Sequence, residues 1–316
     1  MQPETTLPPS HPKRNFDLRR LITGNPVILK EMRGRMRGNR AFLVLTLYLF
    51  FISSIIALIY FAFIAANFNN VSADLRQTIG KTLFSVTMLL ELFTACFVAP
   101  ALTSGAISSE REGQTFDLLR TTLLSSQSLV MGKLNSSFLF LILMLFASLP
   151  LLSIATIFGG VTVAEILIGI VLLIVTTLTF SAVGVFFSSF TKRTLISTVL
   201  SYSFTLMLVF GVPAFIIAGL IFFSAMNATP TGISHFAEVT IIIIVYLMIM
   251  FNPIATAFVT ELILLEGSAF YINMPYPSSP GTIFIPSPWI LYTFAYLGIT
   301  LILIWLSIFF VKQLEK

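Results

Sequence analysis

Seven stretches of this chain, residues 41–66, 82–107, 129–157, 163–189, 194–224, 239–265 and 289–311, each contain no more than one charged residue. Every one is longer than the roughly 20 residues that carry an α-helix across ~30 Å of hydrocarbon. Such a chain cannot bury its apolar surface within itself. Of its 316 residues 57% are hydrophobic and 10% charged, and the mean hydropathy is +0.97. Lipid is the solvent this composition requires, and the fold class expected is an all-α polytopic membrane protein. With 32 Phe against 2 Trp, much of the apolar surface is expected to face acyl chains, leaving Trp and Tyr to anchor at interfaces.

Charge placement decides how many of the seven stretches cross. Nine of the eighteen Lys and Arg precede residue 41, and Arg111, Arg120, Lys133, Lys192, Arg193, Lys312 and Lys316 fall in later turns or at the end. Six spans put all of these on the cytoplasmic side, leaving only Arg76 and Lys81 outside, with Asp74 beside them. Seven spans would expose Lys312 and Lys316 and bring 266–288, which has no Lys or Arg, inside. The stretch 239–265 is also divided by Asn252-Pro253 into two arms too short to cross. It is expected to form a re-entrant or external helical hairpin before the last span, covering the outer mouth. Residues 267–288, with five prolines and Tyr271, Tyr276 and Phe284, are expected to be an extended exterior loop. Both termini are then cytoplasmic, and the first forty residues lack the apolar core of a secretory signal.

Three regions are distinguished. Residues 1–14, Pro-rich and polar, read as a flexible cytoplasmic tail. Residues 15–40 hold an amphipathic interfacial elbow, and 41–316 form the transmembrane domain. In the elbow Asn25 is placed to cap a helix whose first position is Pro26. Ile28, Met32 and Met36 recur at every fourth position, with Lys30, Arg33 and Arg37 on another side. That is the pattern of a basic helix lying among headgroups, although flanking charges obeying the positive-inside rule would give the same topology.

The turn after the second span carries the most information. Ser109 and Glu112 have capping-box spacing, which would start a short helix at the membrane exit. Phe116, Leu119 and Leu123 then share one face, with Glu110, Arg111, Asp117 and Arg120 around it. Such a helix docks on headgroups or on a protein, and its mixed charge favours a protein. Glu110-Arg111-Glu112, Thr115-Phe116, Leu118-Leu119, Thr122, Ser125 and Gly132-Lys133 resemble the signature that follows the second span in type-2 ABC exporter permeases. Asn25-Pro26 through Glu31, with Arg33, Arg35 and Arg37, resembles the start of the same family, and Asn252-Pro253 falls where that family has its external helices. Ser109 stands where Gly is common, Gly113-Gln114 inverts the usual order, and the usual Pro after Thr122 is absent.

The resemblance implies a permease subunit of the inner (plasma) membrane. In it the helix at 108–124 is a coupling helix seated on a separate ABC ATPase subunit, which binds the ATP and magnesium. Two permease copies, or two related ones, are implied. The chain itself lacks a phosphate-binding loop, since Gly132-Lys133 is followed by Leu134 and preceded by no loop glycine. No cofactor, no nucleic acid and no metal is expected, because the single Cys96 and the separated His11 and His235 offer no ligand spacing. Glu91, mid-span, either lines a translocation path or pairs across a dimer, or is protonated or hydrogen-bonded to a nearby Ser or Thr. Glu261 is expected to be solvated near the outer mouth. The alternative to an exporter is a structural or mechanotransmitting membrane subunit with no substrate of its own. An integral-membrane enzyme has little support, since no span carries paired His or clustered carboxylates.

Overall fold

The computed structural model describes residues 26–37, 39–66, 73–115, 125–227, 235–265, 267, 269–275 and 282–313. Among these the chain is almost wholly helical, as a chain dissolved in lipid must be to satisfy its own backbone. Its elements are α1 (Pro26–Met36), α2 (Asn39–Ala66), α3 (Ala73–Thr103), α4 (Ser108–Glu112), α5 (Ser126–Phe158), α6 (Val163–Phe190) and α7 (Thr194–Leu206). A π-turn, Met207–Gly211, then leads into α8 (Val212–Asn227), α9 (His235–Met250), α10 (Pro253–Leu265) and α11 (Pro288–Gln313). Among the described residues six helical runs are long and apolar enough to span a bilayer, with α7, the π-turn and most of α8 together making one of them. The protein is therefore a polytopic α-helical membrane protein.

The central helix is α6, which packs against α3 on one side and α11 on the other, with α5 closing the group. Small residues let these helices approach. A Cβ at Gly184 of α6 would fall 1.9 Å from Thr103 Oγ1 of α3, and one at Gly169 would meet Met88. Threonines fill the seam between α6 and α11, where the Thr179 and Thr300 hydroxyls lie 2.8 Å apart and those of Thr176 and Tyr292 2.6 Å apart. Hydroxyl pairs of this kind hold helices together where lipid removes the hydrophobic drive. α2 and the α7–α8 run are the least buried of the long helices.

Helices α9 and α10 meet at a 112° bend. Asn252 and Pro253 create it: the Asn252 side chain accepts from Ala255 N at 2.7 Å, and Pro253 opens the next helix, where its missing N–H costs nothing. The same side chain donates to the carbonyls of Leu208 and Val209 at 2.6 and 3.0 Å. Those carbonyls belong to the π-turn, whose altered hydrogen-bond spacing releases them from the usual ladder. Tyr296 of α11 donates to the Phe251 carbonyl at 2.7 Å, so the apex is held from two sides.

The region expected to be an extended loop is more regular than that. Strands β1 (Tyr271–Pro275) and β2 (Thr282–Pro286) pair antiparallel, Tyr271 opposite Pro286 and Pro275 opposite Thr282. The prolines sit at the strand ends, where a missing N–H does little harm to the ladder. Trp289 Nε1 donates to the Ala269 carbonyl at 2.8 Å and fastens this hairpin to the start of α11.

Candidate functional site

At the end of the bundle that carries Arg33, Arg37, Lys192, Arg193 and Lys312, three sequence-distant segments meet around one lysine. α5 starts at Ser125, whose side chain accepts from Ser128 N, and places Lys133 two turns inside. The Lys133 side chain is only 8% exposed, and its Nζ lies 2.8 Å from Glu31 Oε1 of α1 and 2.5 Å from Glu110 Oε1 of α4. A buried ammonium needs such partners, and two carboxylates leave the group with one negative charge in excess. One turn further along both helices, Arg35 of α1 donates to Ser137 Oγ of α5 at 2.9 Å and to the Leu102 carbonyl of α3 at 3.1 Å. Burial holds the Arg35 guanidinium below its ordinary pKa, against which Glu31 acts in the opposite sense. Glu31 and Arg35 thus meet Lys133 and Ser137, one four-residue step on each helix, and Val27 and Ile28 are buried beside them.

The elbow therefore lies on the protein with the face that carries Ile28 and Met32, joined by Glu31 and Arg35, while Met36, Lys30, Arg33 and Arg37 are exposed. The described part of the helix begins at Pro26, and Asn25 lies outside the described residues.

Glu110, Arg111 and Glu112 are successive residues on a helix, so their side chains leave about 100° apart and reach three different partners. Glu110 takes Lys133. Arg111 donates to the Ser189 and Thr191 carbonyls at 2.7 and 3.0 Å, at the C-terminal end of α6. Glu112 Oε2 accepts from Thr194 N at 3.1 Å, at the N-terminal end of α7. Cation at a C-terminus and anion at an N-terminus are the signs that the helix dipoles favour. The clamp is reinforced by Ser188 Oγ, which accepts from Ile107 N and Ser108 N at 2.8 and 2.9 Å. The turn between α6 and α7 is thereby tied to the end of α3.

Two features of the expected coupling helix differ. Ser109 and Glu112 do not form a capping box: Ser109 Oγ donates back to the Gly105 carbonyl, and Glu112 is occupied by Thr194. A helix does start there, at Ser108, but without that box: Ser109 N is already bonded to the Gly105 carbonyl at 3.1 Å, and α4 has Ile107 at its N-cap with no side-chain cap. Nor does one helix run from 108 to 124. Gln114 takes the left-handed conformation, φ 54°, and Thr115 N bonds to the Glu110 carbonyl at 2.9 Å, a helix stop of the Schellman type. Phe116, Leu118, Leu119 and Thr122 lie outside the described residues, beyond that stop.

The remaining sequence candidates lie apart from this cluster. Glu91 of α3 is buried, and its Oε1 accepts from Ser148 Oγ of α5 at 2.5 Å. Its Oε2 has no hydrogen-bond partner among the described residues, and the buried Tyr48 hydroxyl lies close to the same Ser148. Asn252 and Pro253 form the apex of the α9–α10 bend. Glu261, expected to be solvated, is half-buried and accepts from Ser85 of α3. Ser188 and the α6 carbonyls were not singled out by sequence. Arg35 was named only as part of the elbow's resemblance, and its place four residues after Glu31, on the same helix face, is the signal that pairs the two.

Among the described residues no group of His, Cys, Asp or Glu could hold a metal ion. Compared with protein-family models and with curated proteins, the chain matches none. What the cluster can do is mechanical. α4 is bonded directly to α5, α6 and α7, and Lys133 joins it to Glu31 of α1.

Proposed function

We propose that this chain is the permease subunit of an ATP-driven ABC-type exporter, coupled to a separate ATPase subunit that binds ATP and magnesium. The observation that carries the reading is the clamp at Glu110, Arg111 and Glu112. Three neighbouring charged side chains of one short helix grip Lys133, the end of α6 and the start of α7. A surface seated after Thr115 would move these elements together, which is what a subunit without its own motor requires. The same residues carry the resemblance to type-2 exporter permeases.

In this reading the six long helices are the spans, the basic end faces the cytoplasm with both termini, and the membrane is the inner (plasma) membrane. The α9–α10 pair is a re-entrant hairpin entering from the outside. Its broken backbone is tolerated at depth because Asn252 and Tyr296 satisfy it. A second copy, or a related permease, completes the transporter.

The test is isolation of the full chain from native membranes under mild conditions. An ATP-hydrolysing subunit is expected to accompany it and to be lost when Phe116 and Leu119 are both replaced by Asp. An assembly that holds no ATPase, and is unchanged by the double substitution, would leave the structural or mechanotransmitting reading in its place.

A further inference from the structure

A cleft of about 450 Å³ lies far from the basic end, between α3, α6 and α10. That is within the range of small-molecule sites. Its walls are apolar over most of their length, with Phe84, Met88 and Leu92 of α3 facing Ile168, Leu172 and Phe258. From Phe84 to Leu92 the helix rises by about 12 Å at 1.5 Å per residue, enough for an alkyl chain of some eight to ten carbons.

The polar groups gather at the Ser85 end. Glu261, Thr260, Ser85 and Glu165 line it, and no Lys or Arg is among the lining residues. Glu165 is committed to the start of α6, where it forms a capping box with Thr162. Glu261 accepts from Ser85 and is half-buried, and Lys81, outside the cleft, and Glu165 are the charges that act on it. Thr260 is 2% exposed, and its hydroxyl has no partner among the described residues. An apolar channel thus ends in a carboxylate and an unsatisfied hydroxyl, which is the complement of an alkyl chain bearing a hydrogen-bond donor with positive charge.

We infer that the α3–α6–α10 cleft binds amphipathic amines, with the alkyl chain between α3 and α6 and the ammonium on Glu261 and Thr260. The assignment does not depend on the exporter reading, because it concerns the chain by itself.

Photoaffinity labelling of the full chain in phosphatidylcholine nanodiscs tests it, using a decylamine that carries a diazirine on its alkyl chain, with no ATPase present. Labelling is expected to map by mass spectrometry to 253–265 and 84–92 and to saturate under excess decylamine. In E261Q it is expected to need about tenfold more probe, the effect of losing one partly buried charged hydrogen bond. A257W, which fills the cleft and keeps the carboxylate, is expected to abolish it, with thermal melting of both variants reporting that they remain folded. Equal labelling by the matching decanoate and decanol probes would overturn the inference, showing a lipid groove without charge selection. So would unchanged labelling of folded E261Q. Should either variant fail to fold, the amine-over-decanoate preference of the unaltered chain decides alone. Retained ATPase binding together with failed amine labelling would remove this inference and leave the coupling proposal standing.

Discussion

A single lysine shows how unevenly interaction energy is distributed in this protein. Lys133 is buried with two carboxylates, Glu31 and Glu110, and the three sit on different helices. Removing the lysine leaves both carboxylates in a low-dielectric setting without a cation. K133M is therefore expected to destabilise the detergent-solubilised protein by about 3–5 kcal/mol, read by thermal or chemical unfolding. Adding E31Q and E110Q to it is expected to recover much of that loss, since the penalty lies in the stranded charges. Substituting the exposed Lys30 or Arg33 is expected to change stability by less than about 0.5 kcal/mol. At Gln114 the expected sign is reversed. This exposed residue has φ 54°, a conformation that disfavours any side chain, so Q114G is expected to stabilise the helix stop by about 1 kcal/mol.

At the scale of elements, what matters is where helices are interrupted. The same Ser/Thr-x-x-Glu spacing occurs at Ser109–Glu112 and at Thr162–Glu165, and only the second is a capping box. Ahead of Thr162, Gly159 and Gly160 at φ 87° and 83° end α5 and leave a new helix with free N–H groups. Ahead of Ser109 the N–H groups at the start of α4 are already taken, Ile107 N and Ser108 N by Ser188 Oγ and Ser109 N by the Gly105 carbonyl, so none is left for a capping box. The pattern was legible in sequence; the state of the preceding backbone was not. Gly160 also makes room for α3, since a Cβ there would fall 2.8 Å from the Gln77 carbonyl, and Gly80 of α3 makes room in turn, since its Cβ would fall 2.2 Å from the Gly159 carbonyl. G80A is expected to cost about 1–3 kcal/mol, measured by unfolding, because a backbone oxygen cannot rotate away. At the α9–α10 bend, N252A removes a helix cap and two donors to π-turn carbonyls. A loss of about 1–3 kcal/mol is expected, with faster proteolysis or hydrogen exchange at 249–256 as a local readout.

At the scale of the whole molecule, topology is the property most open to test. The chain contains one cysteine, Cys96, and it is 0% exposed, so an impermeant thiol reagent is expected to leave the unaltered protein unlabelled in intact cells. A cysteine at the exposed Phe284 is expected to label, and one at Lys316 to stay protected until the membrane is permeabilised. Labelling at Lys316 in intact cells would instead favour seven spans. Composition, the lengths of the apolar runs, the Asn252-Pro253 break and the skewed placement of Lys and Arg were enough, from sequence alone, to specify a polytopic helical membrane protein. Sequence could not say which helix faces which. In water, an apolar stripe marks the side of a helix that meets the core; in lipid, the outward face is apolar too, so periodicity carries little about neighbours. The tertiary structure decided that Lys133 meets Glu31, 102 positions away, that Arg111 and Glu112 clamp the α6–α7 turn, and that Glu261 turns into a cleft. Each of these is a polar contact, and in an apolar medium a polar group has few places to go. Its partner is therefore set by whichever helix the fold brings near, which the order of residues along the chain does not reveal.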